Sequence, residues 1–168
     1  MIHVCSLARL HATVQDTGAR HIVTLINDQT AVVRPASVAE ADHLFLGMHD
    51  IATEIEGFRA PAEDHVLQLL SFVQGWHRRT PMVVHCFAGI SRSTAAAFIT
   101  ACALNPKRSE AAIAQQIRDS SPTAFPNPRL VSFADKILGR DGRMIAAIEG
   151  IGRGVESAEG HPFRLDLE

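Results

Sequence analysis

Side chains that could perform nucleophilic chemistry on a phosphate lie close together in the stretch His-Cys-Phe-Ala-Gly-Ile-Ser-Arg-Ser, residues 85–93. A cysteine thiolate is a strong nucleophile. A planar guanidinium can donate two parallel hydrogen bonds to two phosphoryl oxygens, which a lysine cannot. Five residues separate Cys86 from Arg92, about enough chain to wrap a loop around a tetrahedral oxyanion. This spacing predicts a site where sulfur attacks phosphorus.

The segments on either side of this stretch favour the same chemistry. An apolar run at residues 82–84 predicts a strand, and a run of small residues at 94–104 predicts a helix. A strand, loop and helix in this order direct backbone N–H groups at one anion. The positive end of the helix also favours a cysteine thiolate. We therefore expect the oxyanions to be held by the loop amides of Phe87, Ala88, Gly89, Ile90, Ser91 and Arg92.

Three further residues of the stretch have expected roles. Gly89 suits a position where the loop turns with a positive φ or approaches the ligand closely. Ser93 can donate its hydroxyl to the sulfur and help it leave when a phosphocysteine is hydrolysed. His85 is expected to brace the loop by hydrogen bonding. Each residue alone has a simpler structural explanation, such as a buried cysteine, but their combination favours phosphate chemistry.

The pattern His-Cys-x5-Arg-Ser is the signature of the cysteine-dependent protein tyrosine phosphatase superfamily. The form His-Cys-x-Ala-Gly-Ile-Ser-Arg-Ser resembles the dual-specificity branch, in which the MAP kinase phosphatases carry a nearly identical loop. The order of the elements resembles that family from about Ile22 to about Leu138. The resemblance implies cleavage of phosphomonoesters through a phosphocysteine.

A second residue is needed, because cleavage of a phosphate monoester requires a proton for the leaving oxygen and later a base for water. The resemblance implies an aspartate on a loop a few dozen residues before the cysteine, and Asp50 fits. We expect Asp50 to act as acid and then base, although it could simply cap a turn. Other carboxylates remain alternatives, and the Trp-Pro-Asp tripeptide of the larger tyrosine-specific enzymes is absent. The alternatives are Glu54, Glu56 and Asp64.

Asn127 has two interpretations. Residues 120–130 resemble a Pro-Asn-containing turn that packs beneath the phosphate loop in dual-specificity phosphatases, which implies that Asn127 supports the site. Alternatively, Asn127 is an ordinary N-cap, with Pro128 at the first helical position and Gly139 past the helix end.

Composition limits the class of protein. The 168 residues, 46% of them hydrophobic, fit one domain, which we assign to residues 1–154, with 155–168 as a loosely held C-terminal tail. The formal net charge of −2 suggests neither a nucleic-acid partner nor a membrane partner. Residues 1–10 lack the pattern of a secretory signal. The longest apolar run, residues 95–104, is too short to span a bilayer.

The cysteines and histidines indicate the compartment and the absence of a metal site. Three cysteines without paired spacing argue against a disulfide scaffold, so we expect a cytoplasmic location, where a catalytic thiol stays reduced. Cys5 is a possible disulfide partner for Cys86, or a buried structural thiol. The nine histidines are scattered and form no local ligand set for zinc. We expect no metal and no organic cofactor.

The remaining pattern predicts an α/β domain with a small, mainly parallel central sheet flanked by helices, and a site at the carboxyl end of the central strand. Residues 2–7, 21–26 and 43–48 read as strands. Pro61 is expected at the first position of a helix that has Arg78 and Arg79 in its last turn, with Trp76 in the core.

The sequence therefore predicts a protein tyrosine phosphatase or dual-specificity phosphatase that acts on a phosphotyrosine-containing protein. The loop matches those of protein phosphatases and has no lysine, whereas phosphoinositide 3-phosphatases carry basic residues in theirs. Alternatives are a phosphoinositide or other non-protein phosphomonoester phosphatase, a catalytically silent phosphate-binding module, and an arsenate reductase or rhodanese. Pocket depth decides between phosphotyrosine and shorter phosphorylated side chains, and residues that could set it are Ile51, Phe58 and Phe125.

Overall fold

A five-stranded sheet forms the centre of the computed structural model, which describes residues 1–167. The strand order is β3-β2-β4-β1-β5. Strands β1 to β4 run parallel, and β5 runs antiparallel to β1. The predicted small, mainly parallel sheet is confirmed. The strands are β1 Ile2–Ser6, β2 His21–Ile26, β3 His43–Gly47, β4 Met82–Cys86 and β5 Phe163–Leu165.

Helices cover both faces of this sheet. Because side chains alternate along a strand, Val83 packs with the residues of α1 on one face, while Val84 packs with α2 to α6 on the other. Within residues 1–167 no helix is long and apolar enough to cross a membrane. The helices are α1 Leu10–Thr17, α2 Glu63–Gly75, α3 Arg92–Leu104, α4 Glu110–Ser120, α5 Pro128–Ile137 and α6 Arg143–Gly150.

The register of the parallel strands brings their carboxyl ends to one edge of the sheet. Ser6 of β1 lies opposite Cys86 of β4, and Thr24 of β2 lies opposite His85. The segments that follow β1, β3 and β4 therefore meet at this edge. As predicted, the Cys-x5-Arg stretch lies at the carboxyl end of the central strand.

Helix α2 is shorter than the sequence predicts. It begins at Glu63 rather than at Pro61, because the His65 side chain accepts a hydrogen bond from the Ala62 N–H and so ends the extended segment there (3.0 Å). It ends at Gly75, so the expected placement of Arg78 and Arg79 in its last turn is wrong. The prediction that Trp76 belongs to the core is confirmed.

The prediction of a loosely held tail is wrong for residues 163–165, which form β5. Without β5, strand β1 would be an exposed edge with unpaired backbone groups. Phe163 and Leu165 alternate with a polar residue, and both side chains are buried where β5 pairs with β1. The last residues of the chain thus complete the sheet next to the strand that supports the cysteine loop. Residue 168, the last of the predicted tail, lies outside the described residues.

Candidate active site

The loop between β4 and α3, residues 87–91, is called the phosphate loop below. Cys86 lies at the base of this loop and is only 1% exposed. The Gly89 N–H donates to Cys86 Sγ at 3.3 Å, and Ser93 Oγ lies 3.1 Å from the same sulfur. Donors aimed at a sulfur stabilise its anionic form. Here the sulfur lies within hydrogen-bonding distance of one backbone N–H and one hydroxyl.

Gly89 occupies a place that no other residue fits. Its φ is +73°, in the left-handed region. A Cβ added there would lie 2.7 Å from the carbonyl carbon of Cys5 and 2.8 Å from the Ser6 nitrogen. The expectation of a positive φ is confirmed, and the close approach is to the backbone of β1.

The carbonyl groups of the phosphate loop point away from the Cys86 sulfur and toward neighbouring segments of the chain. Four of them accept hydrogen bonds from backbone N–H groups of other segments, at 2.9 to 3.2 Å. In a planar trans peptide the N–H points opposite to the C=O, so the amides that follow these carbonyls face the other side, where the Gly89 N–H meets Cys86 Sγ. The loop can thus present several donors to one oxyanion. The N–H donors and their carbonyl acceptors are Leu7 and Phe87, Gly160 and Ala88, Phe125 and Ile90, and Asn127 and Ser91.

Arg92, the first residue of α3, is buried beside the loop. Its Nη1 donates to the Met48 carbonyl at 2.9 Å, which ties the guanidinium to the segment after β3. Its Nε is buried and has no hydrogen-bond partner within residues 1–167. Because buried donors normally have partners, this orphaned donor fits a site that receives a phosphoryl oxygen.

Asp50 lies at the rim of the loop, on an exposed segment that follows β3. Its Oδ1 accepts a hydrogen bond from Ser91 Oγ at 2.7 Å. The other candidate carboxylates lie elsewhere: Glu54 pairs with Arg129 at 3.1 Å, and Asp64 accepts from Gln68 on α2. Of the four candidates, Asp50 alone is hydrogen bonded to the phosphate loop in the described part of the chain.

Asn127 is the N-cap of α5, as one of its two interpretations predicts, and its side chain also contacts Asp50. Its Oδ1 accepts from the backbone N–H groups of Arg129 and Leu130, so it is the N-cap of α5. Its Nδ2 donates to Asp50 Oδ1 at 2.9 Å and to the Ile51 carbonyl at 3.2 Å. A single amide therefore starts a helix and orients the candidate acid.

Asp50 is carried by residues 49–59, called the acid loop below. Its base is closed by two hydrogen bonds, from the His49 N–H to the Arg59 carbonyl at 2.8 Å and from the Arg59 N–H to His49 Nδ1 at 3.0 Å. Arg59 also pairs with Asp28 at 3.1 Å, and Phe58 packs edge-on against the His49 ring. Asp50 therefore directly follows His49, which these contacts hold in place.

His85, the residue before Cys86 in β4, is buried and contacts the neighbouring strand β2. Its Nδ1 lies 3.4 Å from the Cys86 carbonyl, and its Nε2 lies 2.7 Å from Thr24 Oγ1. Burial lowers the pKa of His85 to about 4, so its ring is neutral near pH 7. Thr24 also contacts His43 Nε2 at 2.7 Å. Thr24 and His43 are not among the predicted site residues, although a threonine within an apolar strand is a usable signal.

The other two cysteines are free buried thiols. Burial raises the pKa of Cys5 to about 12 and that of Cys102 to about 12. Both are therefore protonated near pH 7 and are poor nucleophiles. Cys5 backs the phosphate loop as a structural residue of β1.

A buried cysteine under a strand–loop–helix turn, with an arginine beside it and a carboxylate at the rim, is an arrangement that fits phosphate chemistry. The protein-tyrosine phosphatase family model matches residues 56–135, which include Cys86 and Arg92. The chain resembles the cysteine-dependent protein tyrosine phosphatase superfamily, with a dual-specificity-like fold, as its signature predicts. No curated protein matches the sequence.

Solved structures show the same fold. Cydia pomonella PTP-2 phosphatase is 18% identical, with a TM-score of 0.63 over 80% of this chain and 84% of that one. Human DUSP28 is 20% identical, with a TM-score of 0.62 over 83% and 92%. PTPMT1 in complex with PI(5)P is 16% identical, with a TM-score of 0.62 over 84% and 94%. At these identities the likeness concerns the fold.

Proposed function

We propose that this chain is a protein tyrosine phosphatase that hydrolyses phosphomonoesters through a phosphocysteine intermediate. The proposal depends on one observation: the hydrogen bond between Asp50 and Ser91 joins a proton donor to the loop that surrounds the Cys86 sulfur. Nucleophile, anion donors and acid are then parts of one assembly.

In the first step the Cys86 thiolate attacks phosphorus. A phosphorus–sulfur bond forms, the ester phosphorus–oxygen bond breaks, and protonated Asp50 gives its proton to the leaving oxygen. The loop amides and Arg92 hold the other phosphoryl oxygens and stabilise their charge in the transition state. The alcohol or phenol then departs.

In the second step the Asp50 carboxylate accepts a proton from a water molecule. The water oxygen attacks phosphorus, the phosphorus–sulfur bond breaks, and the thiolate leaves. Ser93, 3.1 Å from the sulfur, donates its hydroxyl to the departing thiolate. Inorganic phosphate is released. The scheme uses no metal and no organic cofactor.

The favoured substrate is a phosphotyrosine-containing protein. The loop has no lysine, and its Phe87 side chain is 62% exposed beside the site, where it can contact an aromatic phosphoester or the chain around it. We further infer a cytoplasmic location, because a reducing compartment keeps the Cys86 thiol active.

A phosphoinositide is the second candidate substrate, favoured by the shared fold with PTPMT1, whose structure was solved with PI(5)P. A catalytically silent phosphate-binding module is the third possibility. Dual specificity toward phosphoserine or phosphothreonine depends on pocket depth. Phosphate release from the phosphothreonine peptide in the assay below tests it.

The test is phosphate release from a phosphotyrosine peptide, a phosphothreonine peptide and vesicles containing PI(5)P. We expect the fastest release from the phosphotyrosine peptide, none after Cys86→Ser, and nearly unchanged release after Cys102→Ser, the control at another buried cysteine. Fastest release from PI(5)P would replace the proposed substrate. Peptide binding without release would show a silent module.

A further inference from the structure

A pocket of about 540 Å³ lies beside the phosphate loop. We name it the flanking pocket. One wall is the turn before α5 with Phe125, and the other is the segment after α6, residues 153–158. Its volume is within the range of sites that bind small ligands, roughly 300–1,000 Å³. The side chains that characterise it are Ile90, Phe125, Arg153, Val155 and Glu156.

The flanking pocket is held open by main-chain contacts. The Val155 N–H donates to the Pro122 carbonyl at 2.9 Å. A Cβ added to Gly154 would lie 2.6 Å from the Thr123 carbonyl carbon, so the two walls touch backbone to backbone. Farther along, the Gly160 N–H donates to the Ala88 carbonyl at 2.9 Å. A pocket formed in advance costs little ordering entropy when a group enters it.

The flanking pocket is continuous with the candidate active site. Ile90 belongs to the phosphate loop and also lines the pocket, and the Phe125 N–H donates to the Ile90 carbonyl at 2.9 Å. A substrate whose phosphate is held above Cys86 therefore has neighbouring groups within reach of this pocket.

The lining indicates which chemical group fits. Ile90, Phe125 and Val155 offer apolar surface, and Val155 is 67% exposed. The Arg153 guanidinium lies over the Phe125 ring, 5.3 Å from its centroid, and Glu156 on the same segment carries the opposite charge. The lining has one positive and one negative side chain and so no net charge, and burial of its apolar area favours an aliphatic or aromatic group.

We propose that the flanking pocket binds an uncharged apolar side chain of the substrate, close in sequence to the phosphotyrosine. The inference rests on the proposed function, because it extends the same site to a phosphopeptide. It assigns selectivity to the segment after α6, which takes no part in the chemistry.

The experiment compares phosphotyrosine peptides in which one flanking position at a time carries leucine, glutamate or alanine. Two readouts are used: kcat/KM with the wild-type chain, and the Kd of each peptide for the Cys86→Ser variant. At one position we expect the leucine peptide to have a kcat/KM about tenfold higher and a Kd about tenfold lower than the alanine peptide, with the glutamate peptide no better than the alanine peptide.

Two matched variants locate the effect. Val155→Asp places a charge in the pocket and should remove the leucine preference while leaving the rate with a small aryl phosphate unchanged. Val33→Asp changes a valine that is 71% exposed and outside the pocket, and should leave the preference intact. Circular dichroism verifies that both variants fold.

The outcomes separate the two proposals. Equal affinities for the leucine, glutamate and alanine peptides, or a preference that survives Val155→Asp, would overturn the flanking pocket as a subsite. A preference for glutamate would also overturn it. If the wild type hydrolyses no peptide but Cys86→Ser still prefers leucine, the subsite stands and the proposed phosphatase function fails.

Discussion

Asn127 Nδ2 donates a hydrogen bond to Asp50 Oδ1 at 2.9 Å, although 77 positions separate the two residues in the chain. The same side chain caps α5 through its Oδ1. Asp50 also accepts from Ser91 of the phosphate loop at 2.7 Å. The carboxylate is thus oriented from two directions before any substrate arrives, and its orientation depends on the start of a helix.

Asn127→Asp separates the two roles of this residue. Aspartate keeps the N-cap acceptor for the Arg129 and Leu130 N–H groups. It loses the buried donor to Asp50 and the Ile51 carbonyl, so the free energy of unfolding should fall by about 1–3 kcal/mol. The amide donor is replaced by a second carboxylate facing Asp50, so kcat should fall about 10- to 100-fold because the acid is misplaced. Kinetics and urea unfolding measure the two effects. Asn127→Ala, the comparison variant, should lose both, and full activity in Asn127→Asp would contradict the orienting role.

Asp50→Asn should lower kcat about 100- to 1,000-fold with a phenyl phosphate, since the leaving oxygen then receives no proton. The loss should shrink for an aryl phosphate whose phenol is strongly acidic, because that group departs without help. Steady-state kinetics over a leaving-group series measures this dependence. Glu56→Gln alters an exposed carboxylate of the same acid loop and should have little effect. An equal loss with every leaving group would argue against Asp50 as the acid.

Ser93→Ala should slow the second step more than the first. Its hydroxyl lies 3.1 Å from Cys86 Sγ, and a hydrogen bond to a charged group contributes about 1.5–3 kcal/mol, or roughly 10- to 100-fold in rate. Stopped-flow measurements should then show a burst of leaving group equal to the enzyme concentration, followed by slow turnover. A uniform decrease with no burst would point to a structural effect instead.

Gly89→Ala should destabilise the fold by about 3 kcal/mol and abolish activity. The change combines a left-handed backbone at φ +73° with a Cβ 2.7 Å from the Cys5 carbonyl carbon. Gly139→Ala is the matched control, because Gly139 has φ +62° and open space around its Cβ position. That change should cost about 1 kcal/mol. Urea unfolding compares the two, and equal losses would rule out the β1 contact as the cause.

Stability should fall as the pH drops from 7 to 5. Burial lowers the pKa of His85 to about 4, whereas an unfolded histidine titrates near 6.5. The unfolded chain therefore binds more protons in this window, and His85 alone removes about 2 kcal/mol of the free energy of unfolding. The pKa values of His3, His43 and His65 are lowered as well, mainly by burial, and act in the same direction.

Urea unfolding at pH 5 and pH 7 measures this dependence. His85→Gln should flatten the slope by the His85 share, while His77→Gln, at an exposed histidine, serves as the control. A wild-type stability that is constant over the window would contradict burial of a neutral imidazole.

Local patterns in the sequence were enough to predict much of the molecule. The runs at residues 21–26 and 82–84 lie in β2 and β4, and the run of small residues at 94–104 lies in α3. The phosphate loop was predicted because its reactive side chains lie in nine consecutive residues. Residue types and hydrophobic patterns of this kind can be recognised without knowing the fold.

Only the tertiary structure decided which distant groups meet this loop. The sequence left four carboxylates as candidates for the acid, and the contact of Asp50 with Ser91 and Asn127 distinguishes it. It did not indicate that Thr24 braces His85, or that the chain's end returns as β5 beside β1. These contacts follow from sheet order and strand register, which depend on how the whole chain buries its apolar surface, and no short segment encodes that.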